Sequence, residues 1–233
     1  MPKIAIVAAL HRELAGLLKN SRRVDRDYSG RKFTFYDSDD KIIICGGIGL
    51  EAARRAAEAV IALYHPAQLH SVGFAGALTE TLKVGDIFQP GIVLDARDAS
   101  RTQIDGGEGT LITFQTIASA QQKKNLAQAY GAQAVDMEAA AVAAAARAHN
   151  IPFTATKVIS DGLHFEMPDM DRFINTQGQF KTAPFALYAA LRPWLWTRVA
   201  TLASNSSKAS KSLSNHLKLR SYSATNVVEA KTT

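Results

Sequence analysis

Apolar and polar positions follow two different periods along the chain, which predicts strands and helices in alternation. Continuous apolar runs at 3–9 and 41–45 are typical of buried strands. The second run leads into the glycine-rich loop 46–49 and then into an alanine-rich segment with helical periodicity, 51–64. Strand, glycine loop and helix in this order form the unit of an α/β fold.

The same alternation continues through the rest of the chain. A turn-rich hairpin surrounds the alternating segment 32–36, and helical periodicity begins early, at 12–18. Further strands are predicted at 68–73, 86–94, 110–114 and 152–159, and further helices at 123–130 and 136–149. This order predicts a three-layer α/β/α sandwich with a central mixed sheet. We predict one domain, residues 1–203, followed by a basic polar extension, residues 204–233, that is partly disordered from 221 onward.

The amino-acid composition and the distribution of charge limit the classes of function that the sequence predicts. The chain has 233 residues, of which 47% are hydrophobic, and no apolar run approaches the length of a membrane span, so we predict a cytoplasmic protein. The net charge of +6 is uneven, because residues 204–233 hold five basic residues and one acid, which leaves +2 on the body. A nearly neutral body does not predict nucleic-acid binding. The single cysteine, Cys45, and six histidines without ligand spacing predict neither a disulfide nor a metal site.

Candidate catalytic and ligand-binding residues lie where predicted strands end. Open α/β sheets bind ligands beyond the carboxyl ends of their strands. Groups that follow a predicted strand are Glu13, Gly46-Gly47, Phe74-Ala75-Gly76 and Ser160-Asp161, and Glu138 lies in the first predicted turn of its helix. Each acid alone is equally typical of a helix end. Because all of these groups are predicted at the same edge of the sheet, they indicate a ligand site there.

These segments resemble the nucleoside phosphorylase and nucleosidase superfamily, and most of all its methylthioadenosine/S-adenosylhomocysteine nucleosidase branch. The similar motifs are Val-Asp-Met-Glu-Ala at 135–139, a later Ile-Ser-Asp at 159–161, and the segments 4–13, 46–53 and 73–86. The resemblance implies a homo-oligomeric enzyme without metal or organic cofactor that cleaves the N-glycosidic bond of a purine nucleoside, with adenine as the expected base.

Roles follow from the resemblance, position by position. Asp161, oriented by Ser160, matches the acid that protonates a purine ring nitrogen, and Glu138 matches the group that accepts hydrogen bonds from the ribose hydroxyls. Glu13 matches the general base that activates water. Met137 would pack against the ribose, and Lys157 stands where relatives often carry an arginine near the acid.

The sequence departs from the family at the position of the nucleophile. Phe74 replaces the usual serine or threonine, and a phenyl ring cannot position water or phosphate through a hydroxyl. Phe74 could instead line an apolar substrate pocket together with Ala75 and Gly76. An anion could still bind at the Gly46-Gly47 amides, with Arg12 nearby in sequence. After the acid, His164, Phe165 and Glu166 are candidates for substrate contact.

Several alternatives stay open at this point. Gly47-Ile-Gly49-Leu-Glu-Ala52 also fits a dinucleotide fingerprint, but the acid expected about twenty residues later is missing. The chain is also similar to hopanoid-associated phosphorylases, in which phosphate would replace water. Their substrate would be a lipid-linked adenosine, so peripheral membrane contact through the C-terminal helix is a second possibility. That helix carries Trp196, Val199, Ala200 and Ala203 on one face. A noncatalytic nucleoside-binding protein is the alternative outside the enzyme class.

Overall fold

The computed structural model describes residues 3–19 and 21–229, with side chains described through residue 219. The strands are β1 (Ile4–Ala8), β2 (Arg22–Tyr28), β3 (Arg31–Asp37), β4 (Lys41–Cys45), β5 (Gln68–Ala77), β6 (Ile87–Phe88), β7 (Ile92–Asp95), β8 (Arg101–Gln103), β9 (Thr110–Thr113), β10 (Ala134–Asp136) and β11 (Phe153–Asp161). The helices are α1 (Ala15–Leu18), α2 (Leu50–Tyr64), α3 (Ala120–Tyr130), α4 (Ala139–Ala148), α5 (Thr182–Ala190) and α6 (Trp196–Glu229). Short 3-10 turns lie at His11–Glu13, Asp171–Phe173 and Pro193–Leu195.

The strands form one mixed sheet in the order β2-β3-β4-β1-β5-β10-β9-β7-β8. β1 pairs in parallel with β4 and β5, and β11 also pairs in parallel with β5. β10 is parallel to β9 but antiparallel to β5, which makes the centre of the sheet mixed. The carboxyl ends of β1, β5 and β11 therefore meet at one edge of the sheet, as the sequence predicts.

Both faces of the central strands are buried, which explains their unbroken apolar sequences. On one face Ala5 and Val7 of β1 pack with α2 and α4. On the other face Ile6 and Ala8 pack with Leu213 of α6. Helices therefore cover both sides of the sheet, and the predicted three-layer α/β/α sandwich is confirmed.

Several predicted elements are wrong in their bounds; β5, for example, runs to Ala77 and contains Phe74, Ala75 and Gly76, which the sequence predicts to follow it. The strand predicted at 86–94 is divided into β6 and β7, because Pro90 has no N–H to donate to a strand ladder. The helix predicted to begin at 136 begins at Ala139, because Ala134 and Val135 pair with β5 and residues 134–136 pair with β9. The alanine-rich composition concealed this short strand.

The C-terminal helix is part of the domain core. Leu213 is fully buried against Val72 and Val158 of the sheet. The helix packs through Leu202, Ala209, Leu213 and Leu217. The apolar face predicted from the sequence is a different one, and its first residue, Trp196, is 57% exposed. The boundary predicted at residue 203 falls within this helix. α6 continues through Glu229, within the segment that the sequence predicts to be disordered, and residues 230–233 lie outside the described chain.

Candidate active site

A cleft opens at the shared carboxyl edge of β1, β5 and β11, next to the antiparallel strand β10. Nine predicted site residues line it: Arg12, Glu13, Phe74, Ala75, Gly76, Met137, Glu138, Ser160 and Asp161. The predicted residues Gly46, Gly47 and Lys157 are not among those that line it. The fold therefore brings the three predicted catalytic acids into one cavity.

Glu13 is fixed by the turn that follows β1. Its carboxylate accepts backbone hydrogen bonds from Ala9 (3.1 Å) and Leu10 (3.0 Å), and only 4% of the residue is exposed. Burial raises the pKa of Glu13, whereas the Leu10 amide and the charge of Lys157 oppose the rise. A buried carboxylate with a raised pKa at the wall of a cleft is suited to accept a proton.

A second buried acid, Asp136, lines the cleft and is the centre of a hydrogen-bonded network. Its Oδ2 lies 2.8 Å from Lys157 Nζ and accepts a hydrogen bond from the Ala139 amide (2.8 Å). Thr113 donates to its Oδ1 at 2.6 Å, and Lys157 also donates to Ser71 Oγ at 3.1 Å. Burial by itself would lower the pKa of Lys157, but the charges of Asp136 and Glu138 raise it. Lys157 is therefore a buried counter-ion and does not line the cleft.

Glu138 stands immediately before α4, where it spans two loops. Its Oε1 accepts a hydrogen bond from the Gly49 amide at 2.8 Å, and its Oε2 accepts one from the Met137 amide at 3.2 Å. Burial and the neighbouring charge of Asp136 raise the pKa of Glu138 to about 8, despite the opposing charge of Lys157. Three acids thus share one lysine, and the cavity favours a bound group that is positive or rich in donors.

Asp161 ends β11 and is held from both sides. Ser160 Oγ lies 2.6 Å from its Oδ1, and the buried Lys123 of α3 forms an ion pair with its Oδ2. Lys123 also donates to the Gly162 carbonyl oxygen at 2.8 Å. A Cβ at Gly76 would lie 2.9 Å from Asp161 Oδ2, so this close approach requires glycine. Gly76 contributes space at the site.

The remaining walls of the cleft are mostly apolar. Phe74 and Met137 line the cavity together with further apolar residues from several parts of the chain. These apolar residues are Ile48, Ile117, Met167, Met170 and Leu202. Phe74 therefore lines the cavity, as the sequence suggests for an apolar substrate pocket.

The predicted anion site at Gly46 and Gly47 is not supported by the geometry. The Gly46 amide donates to the Ala8 carbonyl oxygen at 2.9 Å, and the Gly47 amide donates to that of Ala9 at 3.0 Å. Both amides are therefore engaged within the fold. A Cβ at Gly46 would lie 2.4 Å from Ala56 Cβ, so this glycine permits the close packing of α2. Arg12 lines the cleft but is exposed.

Sequence reasoning missed several residues of the site. Lys123 lies beside Lys124 in a polar helix, and nothing local distinguishes the buried lysine from the exposed one. Leu202 and Ser206 of α6 also line the cleft, although the segment was predicted to lie at the end of the domain or beyond it. In contrast, the candidates His164, Phe165 and Glu166 are not among the lining residues, and His164 instead pairs with Glu80. In the segment that directly follows Asp161, the residues that line the cleft are Met167 and Met170.

The sandwich and its acidic cleft define an α/β protein with a small-molecule site at the carboxyl edge of a mixed sheet. The family model of the phosphorylase superfamily matches residues 3–94 and 87–191. The chain belongs to this superfamily. The resemblance seen in the motifs is thereby confirmed at the level of the family.

Individual proteins from several organisms are similar to this chain. The 5'-methylthioadenosine/S-adenosylhomocysteine nucleosidase of Staphylococcus aureus is 25% identical, over 68% of this chain and 86% of its own length. The nucleosidase of the same name from Helicobacter pylori, solved with butyl-thio-DADMe-Immucillin-A, has a TM-score of 0.65 at 17% identity, covering 94% of this chain and 98% of that one.

Two further solved structures share the fold. Futalosine hydrolase of Helicobacter pylori has a TM-score of 0.65 at 17% identity, covering 93% of this chain and 97% of that one. The MTA/SAH nucleosidase of Streptococcus pneumoniae, solved with 8-aminoadenine, has a TM-score of 0.62 at 22% identity and covers 82% of this chain and 99% of that one. These structures share the three-layer sandwich with the present chain.

Proposed function

We propose that this protein is an enzyme that hydrolyses the N-glycosidic bond of an adenine nucleoside. The observation that carries the proposal is the meeting of Glu13, Glu138 and Asp161 in one cleft at the carboxyl edge of the sheet. Breaking this bond requires a proton for the leaving base, stabilisation of a positive sugar and an activated nucleophile. The relatives named above include two kinds of nucleoside hydrolase, which supports the same reaction class.

Each acid has a separate task in this mechanism. The Asp161–Lys123 pair provides the proton for the purine. Glu138 accepts hydrogen bonds from the ribose hydroxyls, and as a carboxylate it favours the cationic sugar of the transition state over the neutral ground state. Glu13 takes a proton from the attacking water. Because burial and the charge of Asp136 raise the pKa of Glu138, a positive sugar also draws it toward its charged form.

Water is favoured over phosphate as the nucleophile. Phe74 offers no hydroxyl to a phosphate oxygen, and the amides of Gly46 and Gly47 already donate within the fold. Glu13 and Glu138 would also repel a dianion. Of the residues predicted for the anion site, only the exposed Arg12 lines the cleft. Hydrolysis is therefore the proposed reaction, and phosphorolysis is the alternative that the products distinguish.

Product analysis tests the reaction directly. The protein is incubated with methylthioadenosine, S-adenosylhomocysteine and adenosine, with and without phosphate. Free adenine and free sugar in both conditions support hydrolysis, whereas sugar 1-phosphate formed only with phosphate supports phosphorolysis. Binding of a nucleoside without adenine release would instead indicate a noncatalytic binding protein and overturn the enzyme proposal.

A substitution pair links the reaction to the cleft. Asp161→Asn should lower kcat by about 10²- to 10⁴-fold, the usual contribution of acid catalysis. Asp105→Asn makes the same chemical change at an exposed loop position and should leave kcat unchanged. Full turnover by Asp161→Asn would remove this residue from the mechanism.

A second proposal concerns contact with a membrane surface. Large apolar side chains are exposed along α5 and the turn into α6: Leu187 (65%), Leu191 (69%), Trp194 (71%) and Trp196 (57%). Residues 172–228 contain eight lysines and arginines and no acid. Exposed tryptophan beside positive charge is typical of surfaces that bind anionic lipid. None of the helices in the described ranges has the length and apolarity to cross a bilayer.

Vesicle sedimentation tests this contact. The protein should sediment with vesicles of phosphatidylglycerol and phosphatidylcholine, and much less with phosphatidylcholine alone, because charge contributes to the binding. Trp194→Ser should weaken the binding, and Leu63→Ser, at an apolar position of α2 that is 36% exposed, is the matched control. Equal sedimentation of Trp194→Ser and the control would overturn the proposal. The homo-oligomeric state and the cytoplasmic location stay predictions, and light scattering tests the first.

A further inference from the structure

The side chain of Lys123 occupies a position that the family motifs do not predict. It reaches from α3 to the end of β11, where its ammonium group pairs with Asp161 and donates to the Gly162 carbonyl oxygen at 2.8 Å. Only 1% of the residue is exposed, yet it lines the cleft. A buried lysine at the wall of the cavity is therefore part of the site that receives the base.

The hydrogen-bond donors and acceptors of Lys123 and Asp161 indicate a role for Lys123. In the ion pair, Asp161 is a carboxylate and can only accept hydrogen bonds. The N7 atom of adenine is also an acceptor, so the carboxylate and N7 cannot bond to each other. An ammonium group has three donors, and two of those of Lys123 point to Asp161 and Gly162. Because Lys123 lines the cleft, its third donor can meet a ligand there.

We infer that Lys123 is the catalytic residue that gives the leaving purine its proton, while Asp161 holds Lys123 in place and accepts a hydrogen bond from the exocyclic amine of adenine. This inference rests on the proposed glycosidase function. N7 and the exocyclic amine lie on the same edge of adenine, so one acceptor and one donor side by side match that edge. The pair thus recognises the base and supplies its proton.

The proton balance of the step is complete. As the C–N bond breaks, its electron pair goes to the purine, and a proton moves from Lys123 Nζ to N7. Water adds to the sugar carbon and loses a proton to Glu13. Lys123 is left as a neutral amine and Glu13 as a neutral acid. Transfer of one proton from Glu13 to Lys123 through solvent restores both groups for the next turnover.

Two substitutions separate proton donation from mere positioning. Lys123→Arg keeps a positive partner for Asp161, but a guanidinium does not release its proton in proteins. Lys123→Met removes both the charge and the proton. Lys124→Met changes the adjacent exposed lysine and is the matched control. Adenine release from methylthioadenosine is measured for all four proteins between pH 5 and 9, with circular dichroism to confirm folding.

Both active-site variants should lose about 10²- to 10⁴-fold in kcat with little change in KM, and the control should match the wild type. In Lys123→Met the residual rate should rise toward low pH, because Asp161 must then carry the proton itself. Restoration of the full rate by arginine, or a residual rate in Lys123→Met with the wild-type pH profile, would overturn the inference. Absence of adenine release from the wild type would instead refute the proposed function, so the two failures are distinguishable.

Discussion

Lys157 Nζ lies 2.8 Å from Asp136 Oδ2, and the two side chains are 1% and 0% exposed. The carboxylate also accepts hydrogen bonds from Thr113 and the Ala139 amide, so each charge has a partner in the core. Such a pair links the middle of β11 to the end of β10, and the site residues Asp161 and Glu138 follow shortly after these two positions in the chain. Its integrity therefore fixes the relative positions of Asp161 and Glu138.

Removing one partner of this pair should be costly. Lys157→Met leaves Asp136 as an uncompensated buried charge and should lower the free energy of unfolding by about 3–5 kcal/mol. The double variant Lys157→Met with Asp136→Asn should recover part of this loss. Urea denaturation measures both values. Arg172→Met breaks the exposed pair with Asp169 and should cost less than about 1 kcal/mol. A double variant no more stable than Lys157→Met would show that the charges are not coupled.

Glu138 should make stability depend on pH. Its pKa is about 8 in the folded protein and near 4.5 in the unfolded chain, so the folded state binds more protons between these values. The contribution of Glu138 to stability is fully present below about pH 4.5 and is lost as the pH rises through about 8. The slope should not exceed about 1.4 kcal/mol per pH unit. Glu138→Gln should flatten the profile, and Glu108→Gln, at an exposed position, should not.

Glu13 should set the acid side of the activity profile. A general base works only when it is ionised, and burial raises the pKa of Glu13 above its ordinary value. We therefore expect kcat to fall on acidification with an apparent pKa above 4.5. Glu13→Gln should lower kcat by about 10²- to 10⁴-fold and remove this limb. The exposed change Glu108→Gln serves again as control, and unchanged kcat in Glu13→Gln would exclude it as the base.

The core contact of α6 should be visible in stability. Leu213 is fully buried, and Leu213→Ala should cost about 2–5 kcal/mol because it leaves a cavity. Leu191→Ala makes the same change at a position that is 69% exposed and should alter stability by less than about 0.5 kcal/mol. Urea denaturation compares the two. Equal losses would mean that α6 is not packed on the sheet as described.

The location of Glu13 and Asp161 at one edge of the sheet was predictable, because it depends on topology alone. Parallel strands end at one edge, so Glu13 and Asp161 had to be neighbours once β1, β5 and β11 were recognised as strands. Glu138 was placed in the first turn of a helix, although it lies just before one, because the hydrogen bonds of β10 to β5 and β9 are not visible in the local sequence.

Other parts of the site depend on tertiary contacts that no local pattern records. Lys123 and Lys124 are identical residues in one helix, and only the packing of α3 against β11 decides which of them meets Asp161. The same limit applies to the glycines. Gly46 follows a strand, as anion-binding glycines often do, but its amide is used by the Ala8 carbonyl oxygen.

Leu202 and Ser206 form part of the cleft wall, and Leu213 anchors their helix to the sheet eleven and seven residues further on. During synthesis this helix emerges after every strand of the sheet. The acids of β1 and β11 are therefore assembled on a nascent chain whose substrate cavity still lacks one side. Competence to enclose a ligand arises only once α6 has been added, and a chain terminated before α6 would retain the acids of the cleft in an open groove.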